Sequence, residues 1–204
     1  MKAEQIHPEL RNVMGHIPAL PVHHRLGLSF IRLLFKVAPA RKKVAGVIIE
    51  DKILGLANVR IYRPEATASG AGLLWVHGGG FIMGDVRMND RECSFYAKVL
   101  GLVVVSVEYR LAPEHPFPAA IDDCFEAWKG FQSAAKEYGV DPARIAVAGQ
   151  SAGGSLAASL AQRIQDAGDT QPAAQVLIYP MLDDRTAERR ELDHLNHPLW
   201  NNKN

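Results

Sequence analysis

The sequence is poor in cysteine and has almost no excess charge, and each shortage excludes a class of protein. Cys93 and Cys124 are the only cysteines, so a disulfide framework is excluded. No CxxC pair or Cys/His cluster is present, which argues against a structural zinc site. The 23 lysines and arginines nearly balance the 22 aspartates and glutamates, giving a net charge of +1. This balance offers no electrostatic case for binding nucleic acid or an anionic membrane surface.

Long apolar runs are also missing. The most apolar early run, 26–37, is interrupted by Arg32 and Lys36 and is shorter than the roughly 20 residues that span a bilayer. The first ten residues are polar and do not resemble a signal peptide. We therefore expect no stable membrane insertion. Because two isolated thiols favour a reducing compartment, we expect a cytoplasmic protein.

Length and composition are those of an ordinary globular chain. With 204 residues, 48% of them apolar, the chain can bury a core without covalent staples. Residues 1–45 hold four of the eight histidines and an apolar pattern typical of an amphipathic helix. The residues of that pattern are Leu26, Phe30, Leu33, Leu34 and Val37. Two interpretations stay open: the helix packs on the body of the domain, or it forms a lid over a pocket.

Beyond this first segment, apolar runs and helical patterns alternate. The predicted strands are 44–50, 56–62 (with a turn near Gly55), 72–77, 102–107, 144–148 and 175–179. The predicted helices are 90–100, 118–135 and 152–166. Strands separated by helices imply right-handed crossovers and a mostly parallel sheet. Such an α/β fold binds ligands at the carboxyl ends of its strands.

A serine flanked by glycines follows the predicted strand 144–148. The sequence GQSAG at 149–153 matches G-x-S-x-G between a strand and a helix, which is the context that this motif needs. We expect Ser151 to occupy a strained turn that exposes its hydroxyl at the amino end of the helix, as a nucleophile requires. Gly149 and Gly153 lack a Cβ, so the strand and the helix can approach closely. The alternative is a chance turn of small residues.

A second glycine-rich loop follows the predicted strand 72–77. Gly78, Gly79 and Gly80 expose backbone N–H groups that can point at an oxyanion, with the N–H of Ala152 as the other donor. A phosphate-binding loop is the alternative, but the Gly-Lys-Ser/Thr ending and a helix-opening G-x-G-x-x-G are both absent. The same absence disfavours a nucleotide-binding Rossmann domain. We expect His77 to hold the loop by hydrogen bonding, because a buried polar side chain needs partners.

Together these motifs make the chain resemble the hormone-sensitive-lipase-like, HGGG-type esterases of the α/β-hydrolase superfamily. The matching segments, in the family's order, are HGGGF at 77–81, YRLAPEHPFPAA at 109–120, DD at 122–123, GQSAGG at 149–154 and YP at 179–180. The resemblance implies an α/β-hydrolase fold in which 1–45 is an N-terminal cap segment and 46–204 is the core. One local departure is Gln150, where the family usually has aspartate, and we expect it to alter the support of the loop.

The resemblance also implies the chemistry of the site. Gly78, Gly79 and Ala152 would donate the oxyanion hole, and the substrates would be short or medium acyl esters. Attack by Ser151 would give an acyl-enzyme that water hydrolyses, which needs no metal and no organic cofactor.

The larger departure concerns the triad partners of Ser151. A serine hydroxyl needs a base, and in this fold the chain order is serine, acid, histidine. The family places its acid and histidine on loops after two further strands, whereas the chain ends at Asn204. The order is formally preserved by Asp183 or Asp184 followed by His194 or His197. Because no strand-like run separates these acids from these histidines, we expect the histidines to be solvated tail residues.

We therefore expect a truncated member of the family: a fragment, a frameshifted gene product or a deliberately shortened form. The triad acid and histidine would then lie outside this chain, and the strand 175–179 would leave an unpaired edge that favours a homo-oligomer. Two functions stay open. One is a serine carboxylesterase of small-molecule esters, complete only with a further C-terminal part. The other is a catalytically impaired remnant that binds acyl ligands or a partner chain.

Overall fold

The computed structural model describes residues 7–14, 22, 24–37 and 44–194. The chain divides into two compact units. The body is Phe35–Leu182, and the second unit combines Met1–Leu34 with Asp183–Asn204.

The body contains a six-stranded sheet in the order β1-β2-β4-β3-β5-β6. The strands are β1 (Val47–Leu54), β2 (Ala57–Pro64), β3 (Gly72–Val76), β4 (Val103–Val107), β5 (Ile145–Gln150) and β6 (Gln175–Ile178). The pairs β3–β4, β3–β5 and β5–β6 are parallel, whereas β1–β2 and β2–β4 are antiparallel. The predicted mostly parallel α/β sheet is confirmed, with an antiparallel hairpin at one side.

Helices cover both faces of this sheet. The helices of the chain are α1 (Pro8–Met14), α2 (Arg25–Val37), α3 (Asp90–Leu100), α4 (Ala119–Ala134) and α5 (Ala152–Asp166). On one face, α4 and α5 bury Trp128, Phe131 and Leu160 in the larger core cluster. On the other face, α3 packs against Tyr62 and Trp75. Because both faces are covered, β3 and β4 are buried along their whole length and read as apolar runs.

The bounds of the elements follow the sequence pattern closely within the helices and less closely within the strands. Helices α3 and α5 have the predicted bounds. Strand β1 begins at Val47 rather than at residue 44 and continues to Leu54. It continues because its residues pair with β2 across the predicted turn at Gly55, where φ is +61°. Cross-strand pairing thus carries the strand through Asp51 and Lys52, which an apolar pattern does not detect.

The predicted amphipathic helix is present as α2, but its predicted apolar face is not its buried face. Leu26 is 86% exposed and Phe30 is 58% exposed, whereas Leu28 is only 5% exposed. Ile31 is the other buried residue of the helix. The helix carries apolar side chains on more than one side, and the pattern from Leu26 to Val37 marks the exposed one. A periodic pattern alone does not tell which side the fold covers.

Parts of the predicted segment 1–45, namely 1–6, 15–21, 23 and 38–43, lie outside the described residues. Towards the other end, the described chain forms two short 3-10 helices, Asp184–Glu188 and Arg190–Leu192. None of the helices within the described ranges is long and apolar enough to cross a membrane.

Candidate functional site

Ser151 occupies the sharp turn between β5 and α5. Its φ of 54° and ψ of −123° are strained for a residue with a side chain. An ideal Cβ built on Gly149 would lie 2.1 Å from the Gly153 carbonyl oxygen, and one built on Gly153 would lie 2.2 Å from the Val76 oxygen. Only glycine fits at either position, so the strand and the helix approach as closely as the sequence predicts.

The backbone of the turn is held on both sides of Ser151. The Ser151 N–H donates to the Ile178 oxygen at 2.9 Å. The Ser151 carbonyl oxygen accepts from the N–H of Gly154 at 2.9 Å and from the N–H of Ser155 at 3.2 Å. Its hydroxyl makes no capping hydrogen bond to the helix that it precedes. The Ser151 side chain therefore lies at the amino end of α5 but does not stabilise the helix by capping it.

The triple-glycine loop after β3 lies directly beside this turn. An ideal Cβ on Gly78 would lie 3.3 Å from Ser151 Cβ and 3.0 Å from the Gln150 oxygen. The loop turns tightly, because the Gly79 oxygen accepts hydrogen bonds from the N–H groups of both Ile82 and Met83. The two glycine-rich segments identified in the sequence thus meet at the carboxyl ends of the neighbouring strands β3 and β5.

His77 holds the start of this loop. It is 0% exposed, and its Nδ1 lies 2.7 Å from the Gly78 oxygen. A carbonyl oxygen only accepts, so Nδ1 carries the hydrogen of this contact. The ring stacks on Tyr109 at 4.2 Å between centroids, and the Tyr109 hydroxyl donates to the His77 oxygen at 3.0 Å. The predicted role of His77 in holding the loop by hydrogen bonding is confirmed.

Burial also determines the charge of His77. Removal from water disfavours the imidazolium and lowers the pKa of His77 to about 4, although the contact with Gly78 and the charge of Asp85 act in the opposite direction. His77 is therefore neutral near pH 7. With Nδ1 committed to Gly78, it is part of the support of the loop.

Three backbone N–H groups of the two glycine-rich segments have no hydrogen-bond acceptor within the described residues. Among the hydrogen bonds of the described ranges, none has the N–H of Gly78, Gly79 or Ala152 as its donor. Ala152 is the first residue of α5, and the first N–H groups of a helix have no intrahelical acceptor. In a planar trans peptide the N–H points opposite to the preceding oxygen. The contact of His77 with the Gly78 oxygen therefore also sets the direction of the Gly79 N–H.

Gln150, next to Ser151, links the turn to two other segments. Its Nε2 lies 3.4 Å from Asn89 Oδ1, and its Oε1 accepts from the Tyr179 hydroxyl at 3.1 Å. An uncharged amide can both donate and accept, which the aspartate usual in the family cannot do. The sequence alone does not reveal these partners, because Asn89 and Tyr179 are distant along the chain.

The acid and histidine candidates of the tail belong to the second unit. Asp183 caps the helix Asp184–Glu188 by accepting from the Arg185 N–H, and the Arg185 guanidinium beside it lowers the pKa of Asp183. His194 Nδ1 contacts the Glu191 oxygen at 2.7 Å. The side chains of Asp183, Asp184 and His194 are exposed, which the sequence predicts for His194 as a solvated tail residue, and His197 lies outside the described residues.

The body itself contains two histidines, His77 and His115. His115 is exposed and lines a cavity of about 300 Å³. The walls of this cavity include Phe81 of the triple-glycine loop, Ile121 of α4 and Leu156 of α5. Within the described part of Phe35–Leu182, no hydrogen bond joins either histidine to Ser151.

Comparison with known proteins places this chain among α/β hydrolases. The sequence model of the alpha/beta hydrolase fold family matches residues 73–204. Esterase LipI of Mycobacterium tuberculosis is 46% identical over 133 residues, covering 64% of this chain and 42% of that protein. Ethyl acetate hydrolase of Pseudomonas putida is 42% identical over 129 residues, covering 61% of this chain and 41% of that protein.

A solved structure of a bacterial heroin esterase has a TM-score of 0.88 and 34% identity, covering 99% of this chain and 66% of that one. The chain therefore spans less than half the length of these two curated relatives and about two thirds of this solved structure.

Proposed function

Since the chain belongs to the hormone-sensitive-lipase-like esterases of the α/β-hydrolase fold, we propose that the whole protein is a serine carboxylesterase of short and medium acyl esters. Ser151 is the nucleophile, and Gly78, Gly79 and Ala152 donate the oxyanion hole. The observation that carries the proposal is the apposition of the two loops. An ideal Cβ on Gly78 would lie 3.3 Å from Ser151 Cβ, which brings unpaired amides next to the serine.

The chemistry follows from this arrangement. Ser151 Oγ attacks the ester carbonyl carbon while its proton passes to a general base. The negative charge on the carbonyl oxygen is stabilised by the loop amides and the amino end of α5. The bond to the leaving alcohol then breaks, the alcohol takes up the proton, and water hydrolyses the acyl-enzyme by the same route. No step uses a metal or an organic cofactor.

The cavity supports small substrates. Its volume of about 300 Å³ is at the lower end of the range for small-molecule sites, and its walls are largely apolar. Phe81 belongs both to the cavity wall and to the triple-glycine loop. Ser151 and the three proposed donors do not line the cavity; it borders the triple-glycine loop instead, and a compact acyl or alcohol group would fill it.

A second candidate function differs from this proposal in that Ser151 has no general base. Within the described body, His77 is committed to Gly78, and no hydrogen bond joins His115 to Ser151. The base and its acid would thus come from outside Phe35–Leu182. If they are not supplied, the chain is a catalytically impaired protein that binds acyl ligands or a partner through the exposed edge at β6.

Three further features are part of the proposal. Residues 1–45 serve as a cap segment over the core 46–204. The protein works in the cytoplasm, a reducing compartment in which the free thiols of Cys93 and Cys124 persist. Its ligand is a small-molecule ester rather than a nucleic acid, as its balanced charge favours.

The test compares the 204-residue protein with Ser151→Ala and with the matched control Ser155→Ala, one helical turn further on. A fluorophosphonate probe should label the wild type and Ser155→Ala but not Ser151→Ala. Hydrolysis of p-nitrophenyl acetate then tests the base, because loss of the histidine costs about a million-fold in turnover in other serine hydrolases.

Labelling with turnover above that of Ser151→Ala supports the esterase. Labelling without such turnover supports the second candidate. Absence of labelling in both proteins would show that Ser151 has no general base in this chain and supports the second candidate, whereas equal labelling of the wild type and Ser151→Ala at another residue would contradict the assignment of the nucleophile.

A further inference from the structure

The triple-glycine loop leads into a strained residue that needs anchors. Between Gly79 and Gly84 four residues have φ between +61° and +128°, and one of them, Phe81, is not a glycine. A positive φ is ordinary for glycine, whereas at Phe81 it persists only where the surrounding structure holds it. One anchor is the Ala112 N–H, which donates to the Phe81 oxygen at 3.0 Å. The far end of the loop needs another.

Glu108 supplies this second anchor. It follows β4, whose last residue, Val107, pairs with Val76 at the end of β3. Glu108 therefore lies beside His77 at the carboxyl edge of the sheet. Its Oε2 accepts from the Val86 N–H at 2.8 Å, and its own N–H donates to the Asn58 oxygen at 3.0 Å. The backbone of Glu108 is thus fixed to the sheet, and its carboxylate is fixed to the end of the loop.

The end of the loop closes on its beginning. An ideal Cβ on Gly84 would lie 2.8 Å from the Gly78 oxygen and 2.9 Å from His77 Nδ1. The Gly84 backbone therefore packs directly against the contact that orients the Gly79 N–H. Val86, two residues further along, is the point that Glu108 holds. A shift of Val86 would move Gly84 and, with it, the peptide between Gly78 and Gly79.

We infer that Glu108 is a positioning residue for the oxyanion hole, acting through Val86 and Gly84 on the Gly79 amide. The inference rests on the proposed function of Ser151 and its neighbouring amides. Glu108 itself touches no reacting atom. It determines where one of the donors points.

Burial makes the charged form of the Glu108 side chain less favourable. Burial is the largest influence and raises the pKa of Glu108, and the charge of Asp85 adds to this. The Val86 N–H, Arg60 and Arg87 act in the opposite direction. A partly buried carboxylate needs hydrogen bonds in place of water, and the Val86 amide provides one.

The test uses Glu108→Ala, Glu108→Gln and the exposed control Glu137→Ala in the 204-residue protein. Ser151 is labelled with a fluorophosphonate. The Ser151 O–P bond forms, the P–F bond breaks, fluoride leaves and solvent takes the proton. In Glu108→Ala the maximal labelling rate should fall by about ten- to a hundredfold, as expected for a misplaced group, with the half-saturating probe concentration unchanged. Glu108→Gln keeps an acceptor oxygen and should restore most of the rate.

A second readout does not depend on reactivity. Hydrogen–deuterium exchange of the segment 78–89 should be faster in Glu108→Ala than in the wild type, in Glu108→Gln and in Glu137→Ala. Unchanged exchange in folded Glu108→Ala would overturn the inference, as would an unchanged labelling rate or a failure of Glu108→Gln to restore it. If the probe labels the wild type and Ser151→Ala equally at another residue, the proposed function fails, and if it labels neither, Ser151 has no general base in this chain. The exchange data then still decide whether Glu108 anchors the loop.

Discussion

Strand β5 has two parallel neighbours, and they are built very differently. All five residues of β3 are buried, and β3 pairs with β4 on its other side. Strand β6 pairs with β5, and Val176 within it is 50% exposed. Beyond β6, Tyr179 and Leu182 are also largely exposed.

The contrast shows that the proposed site is tightly packed on the side of β3 and loosely packed on the side of β6. The turn at Ser151 follows β5 and the triple-glycine loop follows β3, where backbones pack so closely that only glycine fits at residues 149 and 153. The side at β6 has an unpaired edge within the described residues and little covering. We therefore expect substitutions towards β3 to be costly and substitutions towards β6 to be tolerated.

Two adjacent glycines of α5 provide the sharpest test of this contrast. A Cβ on Gly153 would lie 2.2 Å from the Val76 oxygen and 2.3 Å from the His77 oxygen, both backbone atoms of the β3 side. A Cβ on Gly154 would lie 2.9 Å from Pro180 Cβ, in the exposed segment after β6. Gly153→Ala should lower the free energy of unfolding by about 4 kcal/mol or more, because neither backbone can give way.

Gly154→Ala is the matched variant. The nearest atom lies 2.9 Å away rather than 2.2 Å, and alanine favours a helix over glycine by about 1 kcal/mol, so the loss should be smaller than that of Gly153→Ala by about 2 kcal/mol or more. Urea unfolding of both variants measures the difference. Equal losses would show that the two sides of β5 are equally rigid.

The pH dependence of stability tests the β3 side at His77. Burial lowers the pKa of His77 from 6.5 to about 4, so between these values the unfolded chain binds more protons than the folded one. The stability that depends on neutral His77 is complete above about pH 6.5 and is lost as the pH falls towards about 4. The loss should amount to about 3 kcal/mol.

His77→Asn keeps a donor for the Gly78 oxygen but does not titrate. Compared with the wild type, it should lose less stability between about pH 7 and pH 4. The exposed His115→Asn serves as the control, and urea unfolding at several pH values provides the measurement. A His77→Asn variant with the wild-type pH profile would contradict the buried neutral state of His77.

The smallest effect on stability is expected at the β6 edge. Val176→Lys replaces a half-exposed apolar side chain on the edge strand by a charged one. The free energy of unfolding should change by less than about 0.5 kcal/mol, whereas self-association through the edge should weaken, because a lysine on an edge disfavours strand pairing. Sedimentation at increasing concentration checks this. If both proteins associate equally, the edge is not the interface, and if neither associates, the predicted homo-oligomer does not form.

Much of the fold could be predicted because its signals are local. The bounds of α3 and α5 follow from apolar spacing and from the residues at their ends, and the turn at Ser151 follows from two glycines that must lack side chains. The buried run of β3 reads directly as a strand covered on both faces. In each case neighbouring residues carry the information.

The amino-acid sequence by itself thus determined the alternating α/β pattern, the two glycine-rich loops and the serine between strand and helix. Only the tertiary structure decided which face of α2 is buried, that Gln150 reaches Asn89 and Tyr179, that Glu108 holds Val86, and that His77 stays neutral. The physical reason is that these properties arise from contacts between segments far apart in the chain. Periodicity and motif spacing report what a residue can do locally, whereas burial, pKa and hydrogen-bond partners depend on what the folded chain brings beside it.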